Sequence, residues 1–230
     1  TVAARPGSTV RVEVVARTRK IGHFFPGGTT DAFDVWMELK AEDASGKVIF
    51  WNGWVADDGK GPVDPGAQFY KSQMVDENGN RINKRNAFQS RAVAWVKLIP
   101  PGAADTLHYV MKIPADVAGP IKLTARMNYR KFDWFYTQWS FAGERDPLQP
   151  EYALGHGYDD GHWVFTGDTS NVSGPVKSIP DIPIIVVASD TKMLALGDRP
   201  ASPAPDLKDR EHWNDYGIGL LLQRDFTGAA

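Results

Sequence analysis

The stretch Phe33–Asp43 reads "FDVWMELKAED" and alternates apolar with polar or charged residues along its length. Successive side chains of a β-strand point to opposite faces, so this period of two is typical of a half-buried strand. The apolar side of the stretch comprises Phe33, Val35, Met37 and Leu39. Ser45-Gly46 then gives a turn signal before a second short apolar run, Val48–Trp51. The stretch therefore predicts a strand that enters a β-hairpin.

The same alternation recurs along the chain between turns that carry Gly, Pro, Asn or Asp. The further predicted strands are Thr9–Thr18, Phe69–Val75, Ala92–Leu98, Thr106–Ile113, Ile121–Tyr129 and Ile182–Ala188. Short strands spaced about 8–12 residues apart, with no long helical period between them, favour a sandwich over a βαβ fold. We expect an all-β protein, an antiparallel, immunoglobulin-like β-sandwich, with a long irregular excursion over Asp133–Pro175 and a short C-terminal helical segment.

Proline and charge are concentrated in "LGDRPASPAPDLKDR", which is typical of a linker. The sequence thus predicts a β-sandwich domain over 1–197, a proline-rich linker over 198–211 and a helical unit over 212–230. In that unit Trp213, Tyr216-Gly217 and Leu220 fall on one helical face, and Ala229 follows as in a tetratricopeptide repeat. A plain amphipathic terminal helix is the alternative. Because one repeat cannot bury its own apolar face, we expect the native polypeptide to continue.

Composition excludes several classes of function. The formal net charge of -2 over 230 residues gives no electrostatic reason to expect nucleic acid or anionic lipid as a partner. No apolar run approaches the roughly 20 residues needed to cross a bilayer. The chain has no cysteine, which excludes disulfides and covalent attachment of c-type haem by this chain. It begins at Thr1 without a charged and apolar leader, so we expect a removed signal peptide or missing upstream sequence.

His23 lies in "IGHFFPGG", between a predicted strand end and a proline-glycine turn. Two interpretations are open. The imidazole is either an axial ligand to a haem held by another segment, or a hydrogen-bond donor to a backbone carbonyl that fixes the turn. Asp31 and Asp34 flank the turn and are candidates for orienting the imidazole.

A second group of candidate ligands occurs in "GHGYDDGH". Its members are His156, Asp159, Asp160 and His162. Two histidines and two carboxylates within seven residues can converge on a divalent metal ion, although a solvated loop explains the same residues. No nucleophile elbow, phosphate loop or dinucleotide fingerprint is present, so we expect no self-contained enzyme.

Aromatic residues are dense, with eight tryptophans in the chain. The predicted interaction patch comprises Trp134, Phe135, Tyr136 and Trp139. An exposed aromatic patch on a β-sandwich fits either another protein segment or a sugar ring. A carbohydrate-binding or protein-interaction module is therefore one alternative function, and a metal-dependent enzyme built on the His156–His162 loop is another.

Several segments together carry a family resemblance. "GHFFPGGTTDAFDVWMELKAEDASGKVIF", "IPPGAADTLHYVMKIP", "LTARMNYRKF" and "IPDIPIIVVASD" resemble the cysteine-free β-domain that follows the haem-binding region in bacterial multihaem c-type cytochromes. In some of those proteins tetratricopeptide repeats follow in turn. The resemblance implies a non-catalytic module of an electron-transfer assembly in the periplasm or outside the cell. It also implies haem c in a neighbouring segment or subunit, against which this chain packs, with His23 as the candidate axial ligand.

Overall fold

The computed structural model describes residues 3–145, 163–198 and 206–229, which are mostly β with several sheets and a C-terminal helix. The strands are β1 (Ala3–Ala4), β2 (Thr9–Arg17), β3 (Asp34–Glu42), β4 (Val48–Asn52), β5 (Gln68–Phe69), β6 (Ser72–Val75), β7 (Ala92–Val96), β8 (Ala104–Lys112), β9 (Ile121–Arg130), β10 (Gly143–Arg145), β11 (Trp163–Phe165) and β12 (Ile184–Leu196). The helices are α1 (Ala56–Gly59), α2 (Trp134–Ala142), α3 (Arg210–Leu222) and α4 (Phe226–Ala229), with 3-10 turns at Ala87–Gln89 and Leu207–Asp209.

The main sheet has the strand order β1-β12-β9-β3-β4, and β5 also pairs with β3. Its neighbours are antiparallel except for β1, which runs parallel to β12. Strand β3 lies inside the sheet between β9 and β4, and it is paired with β9 along its whole length, from Asp34 opposite Arg130 to Glu42 opposite Lys122. The predicted hairpin after Phe33–Asp43 is confirmed, since β3 and β4 pair antiparallel.

A two-stranded ribbon forms the second layer. Strands β2 and β8 pair antiparallel from Thr9 opposite Lys112 to Arg17 opposite Ala104. The ribbon packs on the main sheet through a core that comprises Phe33, Val35, Met37, Leu39, Tyr70, Ile99, Leu107, Tyr109 and Met127. Burial of one such side chain stabilises the fold by about 1.5–3 kcal/mol. The period-two prediction for the apolar side of Phe33–Asp43 is therefore confirmed.

Some predicted elements differ from those observed. The run Phe69–Val75 is divided between β5 and β6, because the chain leaves the main sheet at the buried pair Tyr70 and Lys71 and continues in a separate ribbon of β6 and β7. The described part of the predicted irregular excursion contains helix α2, which begins after Asp133. The Asp133 carboxylate accepts a hydrogen bond from the Tyr136 amide at 2.7 Å and so caps that helix. The predicted all-β fold is confirmed as a mostly β structure that also contains helices, and the immunoglobulin-like arrangement stays a prediction.

Helix α3 packs on the side of the ribbon that faces away from the main sheet. The Thr106 hydroxyl donates to the Tyr216 carbonyl at 3.2 Å, and the Gln223 side-chain amide donates to the Asp105 carboxylate at 2.8 Å. Arg17 and Asp215 form an ion pair at 3.0 Å. The predicted C-terminal helical segment is confirmed, whereas the domain boundaries and the tetratricopeptide interpretation stay predictions. No helix in the described ranges is long and apolar enough to span a membrane.

Glycine substitutions in α3 test this contact. A Cβ at Gly219 would lie 2.8 Å from the Thr106 backbone nitrogen, so Gly219→Ala must displace the helix from the ribbon. We expect the free energy of unfolding to fall by about 1–3 kcal/mol. Gly217→Ala is the matched control, because a Cβ there would have the Ala229 carbonyl at 3.8 Å as its nearest neighbour. It should raise stability by up to about 1 kcal/mol through helix propensity. Urea unfolding measures both, and equal effects of the two substitutions would contradict the close contact.

Candidate functional site

The loop that carries His23 is held at both ends by one segment. On one side of the histidine, the Thr18 amide donates to the Ala103 carbonyl at 3.0 Å. On the other side, Phe25 and Ile99 exchange two backbone hydrogen bonds of 2.8 Å each. Residues 19–24 therefore form a short bridge over residues 99–103, and His23 is exposed on it.

The His23 imidazole has a defined tautomer in this loop. Its Nδ1 lies 2.7 Å from the Phe24 carbonyl oxygen. A carbonyl oxygen can only accept, so Nδ1 carries the proton and donates it; in the neutral imidazole Nε2 then has the lone pair. Nε2 has no hydrogen-bond partner within the described ranges. A Cβ at Gly27 would lie 2.7 Å from the imidazole Cε1, so glycine at this position leaves room for the ring.

The two aspartates near the turn do not orient the imidazole through a hydrogen bond within the described part of the chain. Asp31 is half-buried in the segment before β3. Asp34 is buried, and its two carboxylate oxygens accept from the Lys71 ammonium at 3.0 Å and from the Arg130 guanidinium at 3.1 Å. The hydrogen-bond partner of the imidazole is instead a backbone carbonyl of its own loop.

The predicted metal ligands His156, Asp159, Asp160 and His162 lie outside the described residues. In the ranges that are described, no group of three or more His, Asp or Glu side chains is arranged to hold a metal ion. The proposed loop site therefore stays a prediction.

The predicted aromatic patch lies on helix α2 and is half-buried. Trp134 and Phe135 both contact Phe165 of β11 edge to face, with ring centroids 5.6 Å and 5.0 Å apart. Tyr136 contacts Phe132 at 5.4 Å and Trp139 at 6.1 Å. Much of the aromatic surface is thus used within the chain, joining α2 to β11.

A buried ionic centre lies beside this aromatic patch and was missed by the sequence analysis. It comprises Asp34, Lys71, Arg130 and Asp133, all at most 5% exposed. Arg130 also donates to the Gly61 carbonyl at 2.7 Å. The centre borders a cavity of about 330 Å³. Removal of one partner from such a buried pair costs about 3–5 kcal/mol, because the other charge remains buried and unpaired.

The charged form of Asp133 is disfavoured in this centre. Burial raises the pKa of its carboxyl group, and the nearby Asp34 carboxylate raises it further. The Lys71 ammonium opposes this shift. The folded protein therefore binds a proton at Asp133 more tightly than the unfolded chain does.

Comparisons with known proteins identify a fold. No family model matches this chain, and no curated protein matches it. A solved structure of a penta-heme cytochrome c552 from Thermochromatium tepidum is similar, with a TM-score of 0.50 at 15% sequence identity. The similarity covers 84% of this chain and 38% of that chain, so this chain spans well under half of the cytochrome's length. At this identity the likeness shows a shared fold. The tetratricopeptide part of the predicted resemblance stays a prediction.

Substitution of Asp133 tests its unfavourable burial. Asp133→Asn keeps a side-chain oxygen for the Tyr136 amide and removes the charge, so we expect stability at neutral pH equal to or above that of the parent. Asp133→Ala loses the helix cap and should cost about 1 kcal/mol relative to Asp133→Asn.

The pH dependence has a defined sign. Because the pKa of Asp133 is higher in the folded state, its contribution to stability is complete below the pKa of the unfolded chain, about 3.9. This contribution is lost as the pH rises through the pKa of the folded protein. Urea unfolding at a series of pH values should therefore show that raising the pH over that range lowers the free energy of unfolding less in Asp133→Asn than in the parent. Parallel stability profiles of the variant and parent would contradict the raised pKa.

Proposed function

We propose that this chain is a non-catalytic β module of an exported multihaem cytochrome assembly and that it packs against the haem-binding part. The observation that carries the proposal is the fold shared with a segment of a penta-heme cytochrome c over most of this chain. The chain has no cysteine, so any haem c is attached to a neighbouring segment or subunit. The module's work is then to cover haem edges and to fix the geometry of the haem-binding part.

His23 is the residue of this module that would ligate the iron of such a haem. A metal-bound histidine generally donates its other ring N–H to a carboxylate or a backbone carbonyl, which fixes the tautomer and the ring orientation. The bond from Nδ1 to the Phe24 carbonyl meets this requirement and leaves Nε2 as the ligating atom. The side chain is exposed, so Nε2 is accessible to a group outside this chain.

The test uses the native haem-containing polypeptide or complex that includes this chain. His23→Met replaces imidazole by a thioether on the axial face, which raises the haem reduction potential and changes the absorption bands. We expect an upward shift that is a fraction of the roughly 0.8 V that axial ligands span. The matched control is His212→Met, because His212 is an exposed histidine on α3. Redox titration followed by absorption spectroscopy measures both variants.

The outcomes test the ligand role of His23 separately from the proposed place of this chain in a cytochrome assembly. Parental potentials and spectra in His23→Met would remove the ligand role and leave His23 as a residue that fixes its turn. In that case His23→Gln should retain most of the stability, about 0.5–1.5 kcal/mol, that His23→Ala loses. The absence of Cys-x-x-Cys-His motifs both in the sequence preceding Thr1 and in any co-purifying subunit would overturn the cytochrome proposal itself.

A further inference from the structure

The buried ionic centre leaves hydrogen-bond donors without acceptors in the described part of the chain. The Lys71 ammonium has three N–H donors, and the Asp34 carboxylate is its one hydrogen-bond acceptor in the described part of the chain. The Arg130 Nε has no acceptor there. Both side chains are at most 3% exposed, so water from the open surface does not readily satisfy them. Buried cationic donors in this state call for an additional acceptor.

These donors border one cavity. Lys71 and Arg130 both line the space of about 330 Å³, together with Arg81, which is exposed. The remaining walls include the aromatic rings of Trp95 and Trp134. The cavity therefore combines cationic donors with apolar surface, as sites for small organic anions do.

The charge of the lining selects a monoanion. The three cations Lys71, Arg81 and Arg130 face the two acids Asp34 and Asp133, which gives a formal charge of +1 when all are ionised. A single carboxylate balances this lining, whereas a dianion such as a phosphate monoester would leave excess negative charge beside Asp34.

We propose that this cavity is a carboxylate-binding site, in which Lys71 Nζ and the exposed Arg81 guanidinium donate to the carboxylate and the aromatic walls contact the attached organic group. The carboxylate is either that of a free small acid or the propionate arm of a neighbouring haem. The free-acid form is independent of the proposed function, and the haem form rests on it. The site lies in different residues from His23, so its failure and the failure of the His23 ligand role are distinguishable.

The first experiment titrates this chain with 3-phenylpropionate by calorimetry. Its matched control ligand is 3-phenylpropionamide, which has the same shape without the charge. Because hydrogen bonds to a charged group are worth more than neutral ones, we expect the acid to bind at least about 10-fold more tightly than the amide. Tryptophan fluorescence provides a second signal, since Trp95 and Trp134 line the cavity.

Variants locate the binding. Arg81→Gln removes an exposed cation of the lining and should weaken the binding of 3-phenylpropionate by about 2- to 5-fold. Arg91→Gln is the matched control, because Arg91 is equally an exposed arginine and does not line the cavity. Lys71→Met should weaken binding by at least about 10-fold. If Lys71→Met does not fold, the Arg81 and Arg91 pair and the amide control decide the question.

A second arm distinguishes the two sources of the carboxylate. Protoporphyrin IX carries propionates, and its dimethyl ester does not carry their charge. If 3-phenylpropionate binds and the chain does not bind protoporphyrin IX more tightly than its dimethyl ester, the result supports a free acid. If the chain binds the porphyrin diacid more tightly than the ester, and Arg81→Gln reduces that difference, the result supports a haem propionate. The proposal is wrong if neither acid binds more tightly than its neutral counterpart, or if Arg81→Gln and Arg91→Gln bind 3-phenylpropionate equally well.

Discussion

Strand β3 is buried on both of its faces. The packing of the main sheet against the ribbon of β2 and β8 depends on the contacts that these faces make. Its apolar side, Val35 to Leu39, packs against the ribbon of β2 and β8. On its other side, Trp36 donates to the Gly53 carbonyl at 2.9 Å, and Glu38 accepts from Asn128 at 3.0 Å. Asp34 ends this polar row with its two cationic partners. One strand thus joins a hydrophobic core to a hydrogen-bonded polar layer.

The apolar face of β3 is predictable from the sequence, and the burial of its polar face is not. Period two identifies the apolar side, because every second residue is apolar irrespective of the partner strand. The polar residues between them have the appearance of a solvated face. Their burial depends on partners that are distant in sequence, with Lys71 37 positions and Arg130 96 positions from Asp34. A pattern read along one strand carries no information on such pairs. Helix α2 was missed for a different reason: its aromatic residues occur on all sides and so give no helical period.

For the candidate functional residues, too, the sequence indicates the local context but not the contacts. A histidine beside a proline-glycine turn is recognisable in the sequence, and its exposure on a loop agrees with that context. The tautomer follows only from the contact between Nδ1 and the Phe24 carbonyl, which depends on the path of the loop backbone. The aromatic run was predicted to be an exposed interaction patch, and that role stays a prediction. Its contact with Phe165 joins segments about 30 positions apart and was beyond the reach of a local pattern.

The clamped ends of the His23 loop have a thermodynamic consequence. Residues 19–24 are fixed on one side by Thr18 and on the other by Phe25, and both anchors bind the same short segment. The backbone of such a loop has few conformations left to lose. Any bond formed at its tip therefore carries a small unfavourable entropy of ordering, and its temperature dependence reflects the bond rather than the folding of the loop.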